Sequence, residues 1–595
     1  MEKGNYNKHL TVLRHTTEHV LMQAMENLYP NILKAMGPAT EDGFYFDFDL
    51  QTKISEEDFS KIEKEMLRIK NLNIPISKTT FPVKIAKTMF KNNPYKLEWI
   101  DETQKRGGEL TAYWTGEPNK KGSFVDICKG PHLTATNEIG AFKLLSIAGA
   151  YWRGDEKSKM LTRIYGTAFP TQKELEGYLN NLENAKKHDH RILGKELDLF
   201  VFSDLVGKGL PLLTPNGTII RRELEQFIIS EETKNGYQHV ITPPLAKIDL
   251  YKKSGHYPYY KDSMYPKMKV DEEELILRPM TCPHHFMLYK SKLHSYKELP
   301  IRYAELASQF RYEKSGELSG LMRVRTFCLA DAHIFASQDQ AKDEIKNVLN
   351  LIDFVNGKLG LIKGTDYNYR LSLGNRKDIK KYYKDDAAWD KAEDILRQVL
   401  TETKNTFSEE PNEAAFYGPK IDVQMKKTGG KEETAFTVQY DFVMPKRFEL
   451  TYADKDGKEK ELIVIHRSSI GAFERTMAFL LEKFAGALPV WLSPGQVQII
   501  PISEKHLEYV QKVKERLLLS RLRVFVDERN ETMQAKIREA QTKKIPYMII
   551  AGDKEMSTDT ISVRLRDQRT FNNITIESFV KTAQKIIKEK SLELW

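Results

Sequence analysis

Apolar side chains recur every three to four positions across residues 9–29, and that period predicts an amphipathic helix. Short alternating runs follow it, Gly43-Phe44-Tyr45-Phe46-Asp47-Phe48 among them, and these predict strands. A glycine-rich stretch, 106–122, gives way to 123–132. Residues 171–192 (TQKELEGYLNNLENAKKHDHRI) carry charge throughout and read as a connecting helix. From 193 to 490, strand-like runs at 276–280, 416–425, 434–442 and 462–465 cluster between longer helices. Clustering favours antiparallel hairpins over βαβ repeats. Beyond 490 the pattern alternates, with strands at 497–501, 523–527 and 546–551, a helix ending at 520 and another at 532–541. This alternation predicts a small α/β domain with a mainly parallel sheet. The expected organisation is therefore a multidomain α+β and α/β chain, divided into 1–170, a linker at 171–192, 193–490 and 491–595.

A chain of 595 residues is long enough for three or four domains. Its 29% charged and 40% apolar residues are ordinary for a globular protein. No run approaches the ~18 apolar residues that span a bilayer, so no membrane partner is expected. The first residues, MEKGNYNKHL, lack the apolar core of a secretory signal and the Arg/Ser bias of a transit peptide. Three cysteines cannot staple so long a chain, and their scarcity points to a reducing, cytoplasmic setting. Cys128 and Cys282 sit beside histidines in CKGPH and TCPHH, whereas Cys328 has no such company and reads as a core thiol. Of the net charge of +9, over half lies in residues 501–595, with 19 Lys and Arg against 14 Asp and Glu. A polyanion partner and a merely solvated surface both fit that excess.

The densest chemistry lies in 309–335, QFRYEKSGELSGLMRVRTFCLADAHIF. Two alternating runs flank a polar segment with Gly316 and Gly320, which predicts two antiparallel strands and a loop. Arg311, Arg323 and Arg325 are expected on those strands, with Glu313 on the face of Arg311. Guanidinium forks grip phosphate and carboxylate oxygens at two points, although structural salt bridges would use the same residues. Neither a P-loop nor a G-x-G-x-x-G after a strand is present, so any nucleotide must be held by side chains. In the first unit, His15 and His19 share a helix face, and Cys128 and His132 add a thiol and a third imidazole. Read alone, that set suggests a zinc hydrolase.

Phe310-Arg311-Tyr312-Glu313, the loop and Arg325 together resemble motif 2 of the class II aminoacyl-tRNA synthetases. Gly471-Ala472-Phe473-Glu474-Arg475 resembles motif 3. Asn235-Gly236-Tyr237 leading to Thr242-Pro243-Pro244 resembles motif 1, which implies a homodimer. Over nearly its whole length the chain is similar to the threonyl-tRNA synthetases of class IIa, without their usual N-terminal ubiquitin-like domain. The resemblance implies ATP-dependent activation of L-threonine, transfer to tRNA(Thr), and hydrolytic editing of mischarged seryl-tRNA(Thr). It implies that Arg311 bridges the α-phosphate and the threonine carboxylate, that Glu313 meets the adenine amine, and that Arg325 takes the distal phosphates. Arg475 would lie over the adenine. Tyr417 and Lys420 would sit near substrate and α-phosphate, Gln439 in the same pocket, and Asp331 at the ammonium group. Mg²⁺ is expected with ATP.

No local spacing links Cys282, His333 and His466. The resemblance alone nominates them as ligands of one Zn²⁺ with an open fourth position. A site built around a hydroxyl rejects an analogue lacking it by about 10⁴–10⁵, which would exclude valine. Serine lacks only a methyl, worth ~1–3 kcal/mol, so a second sieve is needed. The resemblance places it in the first unit, with His15, His19, Cys128 and His132, and with Asp126 and Lys129 as lesser members. In that branch a water and the tRNA hydroxyl are usually credited, without metal, so the metal question stays open. His256 matches a general base for the transfer step, though a loop histidine without a role would look the same. The last unit resembles an anticodon-binding domain through Asp527-Glu528-Arg529-Asn530 and Gly552-Asp553-Lys554-Glu555, with Glu555 and Arg564 as candidate base contacts. Leu329 and Thr434-Ala435-Phe436-Thr437 depart from the commonest residues of the resemblance and bear on secondary pocket contacts. Two rivals are a paralogue that kept the RNA surface but lost catalysis, and another class IIa synthetase such as a prolyl enzyme. The intact arginines argue against the first, and the Cys/His/His set with the first unit argues against the second.

Overall fold

The computed structural model describes residues 3–426 and 432–595 apart from 121 and 156. The chain forms two compact units, Met1–Glu183 and Asn184–Trp595. In the first, the helix Lys3–Leu28 lies on a four-stranded antiparallel sheet in the order Leu33–Met36, Phe44–Asp49, Met160–Phe169, Ala141–Tyr151. Leu13, Val20, Leu21 and Met25 of the helix pack with Phe44, Phe46, Phe48 and Ile164. Thr16 and Thr17 are also fully buried, and their hydroxyls donate to the carbonyls of Val12 and Leu13 (2.9 and 2.8 Å). That back-bonding lets polar residues share the core face. A second antiparallel sheet, Ile76–Thr80, Thr111–Thr115 and Phe124–Ile127, carries Asp126 toward Cys128. The helix Pro94–Lys105 starts cleanly because Pro94 opens it and Asn93 accepts from the Lys96 N–H.

Residues 171–192 do not form one helix. Gln172–Lys187 ends, and His190–Glu196 begins anew with Asp189 accepting from the Arg191 N–H.

The second unit is built on eight strands in the order Gln238–His239, Ile301–Phe310, Thr326–Ala336, Ile463–Ala472, Glu432–Asp441, Lys420–Lys426, Tyr367–Leu373, Phe407–Pro411. The six inner strands pair antiparallel, as the clustering predicts, and only the two edge pairs are parallel. Register then aligns residues far apart in sequence. Tyr303 pairs with His333, His333 with His466, His466 with Gln439, and Gln439 with Lys420. Directly opposed residues share a face, so this is one row across five strands. The adjacent row, Ile334, Ile465 and Tyr440, points the other way and is buried. The apolar stripe of Ala341–Lys358 (Ile345, Val348, Ile352, Val355) completes the same core.

Residues beyond 490 form a five-stranded sheet, Val524–Val526, Val497–Pro501, Tyr547–Ala551, Thr560–Leu565, Thr570–Thr575. The expected mainly parallel sheet is corrected here. Two pairs are parallel and two antiparallel. A parallel connection needs a dozen or more residues, and the connections 552–559 and 566–569 are too short for one. No helix among the described residues is long and apolar enough to cross a membrane.

Candidate functional site

A cavity of about 710 Å³ opens over the aligned row of the large sheet. Cys282, His333 and His466 line it, all buried, with their ligand atoms within 4.8 Å of one another. Cys282 opens a short helix, Cys282–Lys290, and the two histidines are paired neighbours on adjacent strands. Their hydrogen bonds fix which nitrogens are free. His466 Nε2 is 2.7 Å from Asp441 Oδ2, and Asp441 Oδ1 already accepts the Val443 and Met444 N–H groups. Asp441 Oδ2 accepts from the His466 Nε2–H, which leaves Nδ1 as a lone pair. His333 Nδ1 lies 2.8 Å from His285 Nδ1, and His285 Nε2 lies 3.1 Å from Glu305. Glu305 accepts from the His285 Nε2–H, His285 Nδ1 accepts from the His333 Nδ1–H, and His333 Nε2 is left as a lone pair. A thiol and two imidazole lone pairs, each imidazole braced by an acceptor behind it, fit a Zn²⁺ ion with room for a further ligand. Burial, with Asp331 and Asp441 nearby, pushes the Cys282 thiol well up, and burial with His466 and His285 pushes His333 well down.

Glu305 is buried, which alone would raise its carboxyl. Hydrogen bonds from His285 and Thr242 and the charge of Arg278 outweigh that and hold it at about 2. Its folded value lies below the ordinary 4.5, so its stabilisation is complete above pH 4.5 and disappears as pH falls toward 2. The melting temperature of Glu305→Gln is expected to be lower than wild type at neutral pH and less pH-dependent across that interval. Parallel slopes would refute the assignment.

Arg311 and Glu313 line the same cavity, but not from strands as expected. The strands stop at Phe310 and resume at Thr326, and 311–325 form the connecting loop. The loop is closed by Arg311 N–H donating to the Arg325 carbonyl (3.0 Å) and by Arg323 pairing with Glu313 (2.7 Å). Departing from the ladder turns Arg311 inward, where it is held by the Pro279 carbonyl and Gln309 Oε1, each at 3.3 Å. Arg323 also lines the cavity, whereas Arg325 does not. It donates to the carbonyls of Glu313 and Lys208 and lies 5.5 Å from the Tyr312 ring. Asp331 lines the cavity, buried, and accepts from Gln309 Nε2 (3.3 Å). Tyr417 donates to Gln439, whose amide donates to Thr437 (2.8 Å). Arg475, near the start of Phe473–Lys483, donates to the carbonyls of Met322 (3.1 Å) and Thr434 (2.9 Å) and closes another wall. Lys420 stands opposite Gln439 but does not line the cavity, since its ammonium is held by Asp422 at 2.8 Å. His256 lines the cavity. Its Nδ1 is 2.7 Å from Ser254 Oγ and its Nε2 4.0 Å from Cys282 Sγ.

In the first unit, His15, His19, Cys128 and His132 converge, their ligand atoms within 4.8 Å of one another. Cys128 Sγ is 3.1 Å from His15 Nε2 and 3.2 Å from His132 Nε2. The cis Gly130-Pro131 turn, with Gly130 at φ 71°, brings His132 back over Cys128, and the Gly130 N–H donates to that sulfur (3.2 Å). Burial pushes the thiol up to about 12 and depresses all three imidazoles. Asp126 is buried and paired with Lys96 (2.6 Å), while Lys129 is exposed. His15, His19, Cys128, Asp126 and Lys129 line a cavity of about 330 Å³.

Residues 265–484 match the family described as tRNA synthetase class II core domain (G, H, P, S and T), 496–586 the anticodon binding domain, and 116–165 the threonyl and alanyl tRNA synthetase second additional domain. The chain is 48% identical to the threonine–tRNA ligase of Anoxybacillus flavithermus (strain DSM 21510 / WK1), over 98% of this chain and 89% of that one. It belongs to the threonine–tRNA ligase family. The ligase of Streptococcus pneumoniae (strain ATCC 700669 / Spain 23F-1) is 47% identical over the same shares. The crystal structure of the RNA binding domain of threonyl-tRNA synthetase from Cryptosporidium parvum Iowa II superposes with a TM-score of 0.62 and 35% identity, covering 67% of this chain and 98% of that one.

For a threonine–tRNA ligase, the departures noted in the sequence fall where they matter. Leu329, Thr434, Ala435, Phe436 and Thr437 all line the large cavity. Thr437 and the Thr434 carbonyl bond to Gln439 and Arg475, so those two keep their polar contacts. Sequence reasoning missed Gln309, His285, Glu305 and Asp441, which orient Arg311, Asp331 and the two histidines. Gln309 and Asp441 each stand two places along a strand from a chosen residue, a signal that was available. It also missed His190, whose Nδ1 meets Glu482 (2.7 Å) and whose Nε2 accepts from the Leu321 N–H (3.1 Å), pinning the arginine loop. Both ring nitrogens are committed, so His190 offers no lone pair to an ion beside Asp189 and Glu482. Beside the last sheet, in the helix Asp553–Thr558, Glu555 accepts from Ser562 Oγ (2.8 Å) and the Gly552 N–H (3.0 Å), and Arg564 lies two residues from Ser562 on the same strand face, its Nε buried without a hydrogen-bond partner.

Proposed function

We propose that the enzyme joins L-threonine to ATP at the large cavity and transfers the threonyl group to tRNA(Thr). One observation carries this reading: a thiol and two braced imidazole lone pairs share a cavity with a buried carboxylate, Asp331, and a half-buried guanidinium, Arg311. The threonine carboxylate attacks the α-phosphorus, the bond to the leaving pyrophosphate breaks, and threonyl-adenylate forms. Positioning and charge neutralisation dominate such a step. Arg311 spans carboxylate and α-phosphate, Arg475 and Glu313 bind the nucleotide, and Mg²⁺ accompanies ATP. Arg323 joins them at the distal phosphates, with Arg325 and Lys420 behind as supports. Asp331 pairs with the substrate ammonium, and Tyr417 and Gln439 bound the side-chain end. When bound by Cys282, His333 and His466, Zn²⁺ supplies a Lewis-acid position that a β-hydroxyl amino acid can satisfy and a hydrocarbon isostere cannot.

In the second step a terminal ribose hydroxyl attacks the adenylate carbonyl and AMP departs. His256 takes the hydroxyl proton. Burial, with His466, Arg447 and Arg311 nearby, holds it at about 3, so it is neutral at physiological pH and a weak base in the free enzyme. Residues 1–170 act as the editing domain, 171–192 as linker, 193–490 as catalytic core and 491–595 as anticodon-binding domain, where Glu555 and Arg564 meet the RNA. A homodimer through 235–244 belongs to this reading, supported by Ile241, 97% exposed in the single chain. So does a cytoplasmic location. Amino-acid-dependent ATP–pyrophosphate exchange tests the assignment. Threonine is expected to support it, serine about 10–200-fold less, and valine about 10⁴-fold less. Exchange with no amino acid, or with proline alone, would reject it.

His15, His19, Cys128 and His132 then hydrolyse seryl-tRNA(Thr), placing a water at the ester. His132→Ala is expected to slow that deacylation by about 10²-fold or more while leaving exchange unchanged. Wild-type deacylation in the variant would end the proofreading assignment.

A further inference from the structure

Glu18 stands one residue before His19 on the helix Lys3–Leu28 and lines the 330 Å³ cavity of the first unit. It is 1% exposed, and neither carboxylate oxygen has a hydrogen-bond partner. Its nearest ionic neighbour is His15 Nε2, 3.9 Å from Oε2, and that imidazole is depressed by burial. Asp126 adds repulsion, and Lys96 offers opposite charge but is already committed to Asp126 at 2.6 Å. The fold makes room for the carboxylate. A Cβ at Gly37, on the facing wall, would stand 2.3 Å from Glu18 Oε1. A buried acidic group with no donor costs stability, and proteins keep such groups where a ligand completes them.

The occupant must be small and must bring hydrogen-bond donors. An aminoacyl ester whose carbonyl lies at the Cys128 and His132 cluster brings an ammonium group within a few ångströms of that carbonyl. We propose that Glu18 receives the α-ammonium group of the ester to be hydrolysed and so selects α-amino acid esters over esters lacking the amine. This rests on the proofreading reading of the first unit. Burial and Asp126 push the carboxyl well above its ordinary value in the free site. An arriving cation favours the ionised form, and the displaced proton passes to solvent. Glu18 is a specificity residue here; the cysteine and histidines act at the carbonyl.

The test uses the full chain and two esters of the same tRNA: seryl-tRNA and its deaminated counterpart, glyceryl-tRNA, in which a hydroxyl replaces the amine. Deacylation is followed in single turnover for wild type, Glu18→Ala, Glu18→Gln and His132→Ala. Glu18→Ala is expected to slow seryl-tRNA at least tenfold and leave glyceryl-tRNA within twofold of wild type. Glu18→Gln keeps an acceptor oxygen and should fall between. Both Glu18 variants should melt no lower than wild type, because the group removed is uncompensated. Equal losses on both esters, no loss on either, or a melting temperature lowered by several degrees would overturn the proposal. If His132→Ala also deacylates seryl-tRNA at the wild-type rate, the proofreading reading fails, and Glu18 with it. A His132→Ala defect beside a Glu18→Ala variant that behaves as wild type sinks the Glu18 role alone.

Discussion

Arg311→Ala is expected to lower the rate of threonine-dependent ATP–pyrophosphate exchange by about 10²–10³-fold. The guanidinium is half-buried, and its desolvation lowers its affinity for the proton against the pull of Glu313. Five N–H donors serve only two acceptors, both at 3.3 Å, the long end of the hydrogen-bond range. Donors so poorly satisfied are available to an anion, and the α-phosphate with its attacking carboxylate offers two at once. The loss should fall on kcat, because charge builds between those oxygens only during the displacement. Arg311→Lys keeps the charge but not the fork, so most of the defect should remain. The melting temperature should hardly move, since a half-buried cation with two long hydrogen bonds is what is removed. A variant whose KM alone rises would show that Arg311 binds substrate without aiding the chemical step.

Cys282→Ala carries the second large effect. Metal content is expected to fall from one Zn²⁺ per chain to near zero, and threonine activation to fall by at least about 10²-fold, with serine and valine left nearly indistinguishable from threonine. Two imidazoles alone hold Zn²⁺ far less tightly than the full set. Chelation of wild type should reproduce the defect, and added Zn²⁺ should restore the chelated wild type but not the variant. Because the buried thiol must lose its proton to bind, affinity should weaken as pH falls. Deacylation of seryl-tRNA should survive the substitution, since its residues belong to the other compact unit. Full threonine activation in a metal-free variant would remove the basis of the assignment.

The features legible in the sequence were those encoded locally. The arginine loop, the HxxxH and CxxxH pairs and the alternation beyond 490 all lie within windows where periodicity and turn residues decide structure. Where a local pattern was over-read, a length limit explains it. Alternation suggested parallel strands, yet 552–559 and 566–569 could only make hairpins. Arg311 and Arg325 looked like strand residues because alternation continues through them, but the ladder ends at Phe310. Cys282, His333 and His466 could be nominated only through a family resemblance. Their proximity depends on strand pairing between segments more than a hundred residues apart. The proton order from Glu305 through His285 to His333 has no sequence signature at all. Glu18 was passed over because a glutamate on a helix is ordinarily solvated, and only its burial makes it unusual.

The single file of Tyr303, His333, His466, Gln439 and Lys420 makes the enzyme intolerant of one kind of genetic error. Inserting or deleting a single codon within Thr326–Ala336, Glu432–Asp441 or Ile463–Ala472 would turn the downstream half of that strand inside out, sending histidine into the oily layer and isoleucine toward the nucleotide. The same lesion in the surface turn between Ala453 and Glu459 would pass almost unnoticed. Length polymorphism among descendants of this gene should accordingly gather at the periphery and spare these three strands.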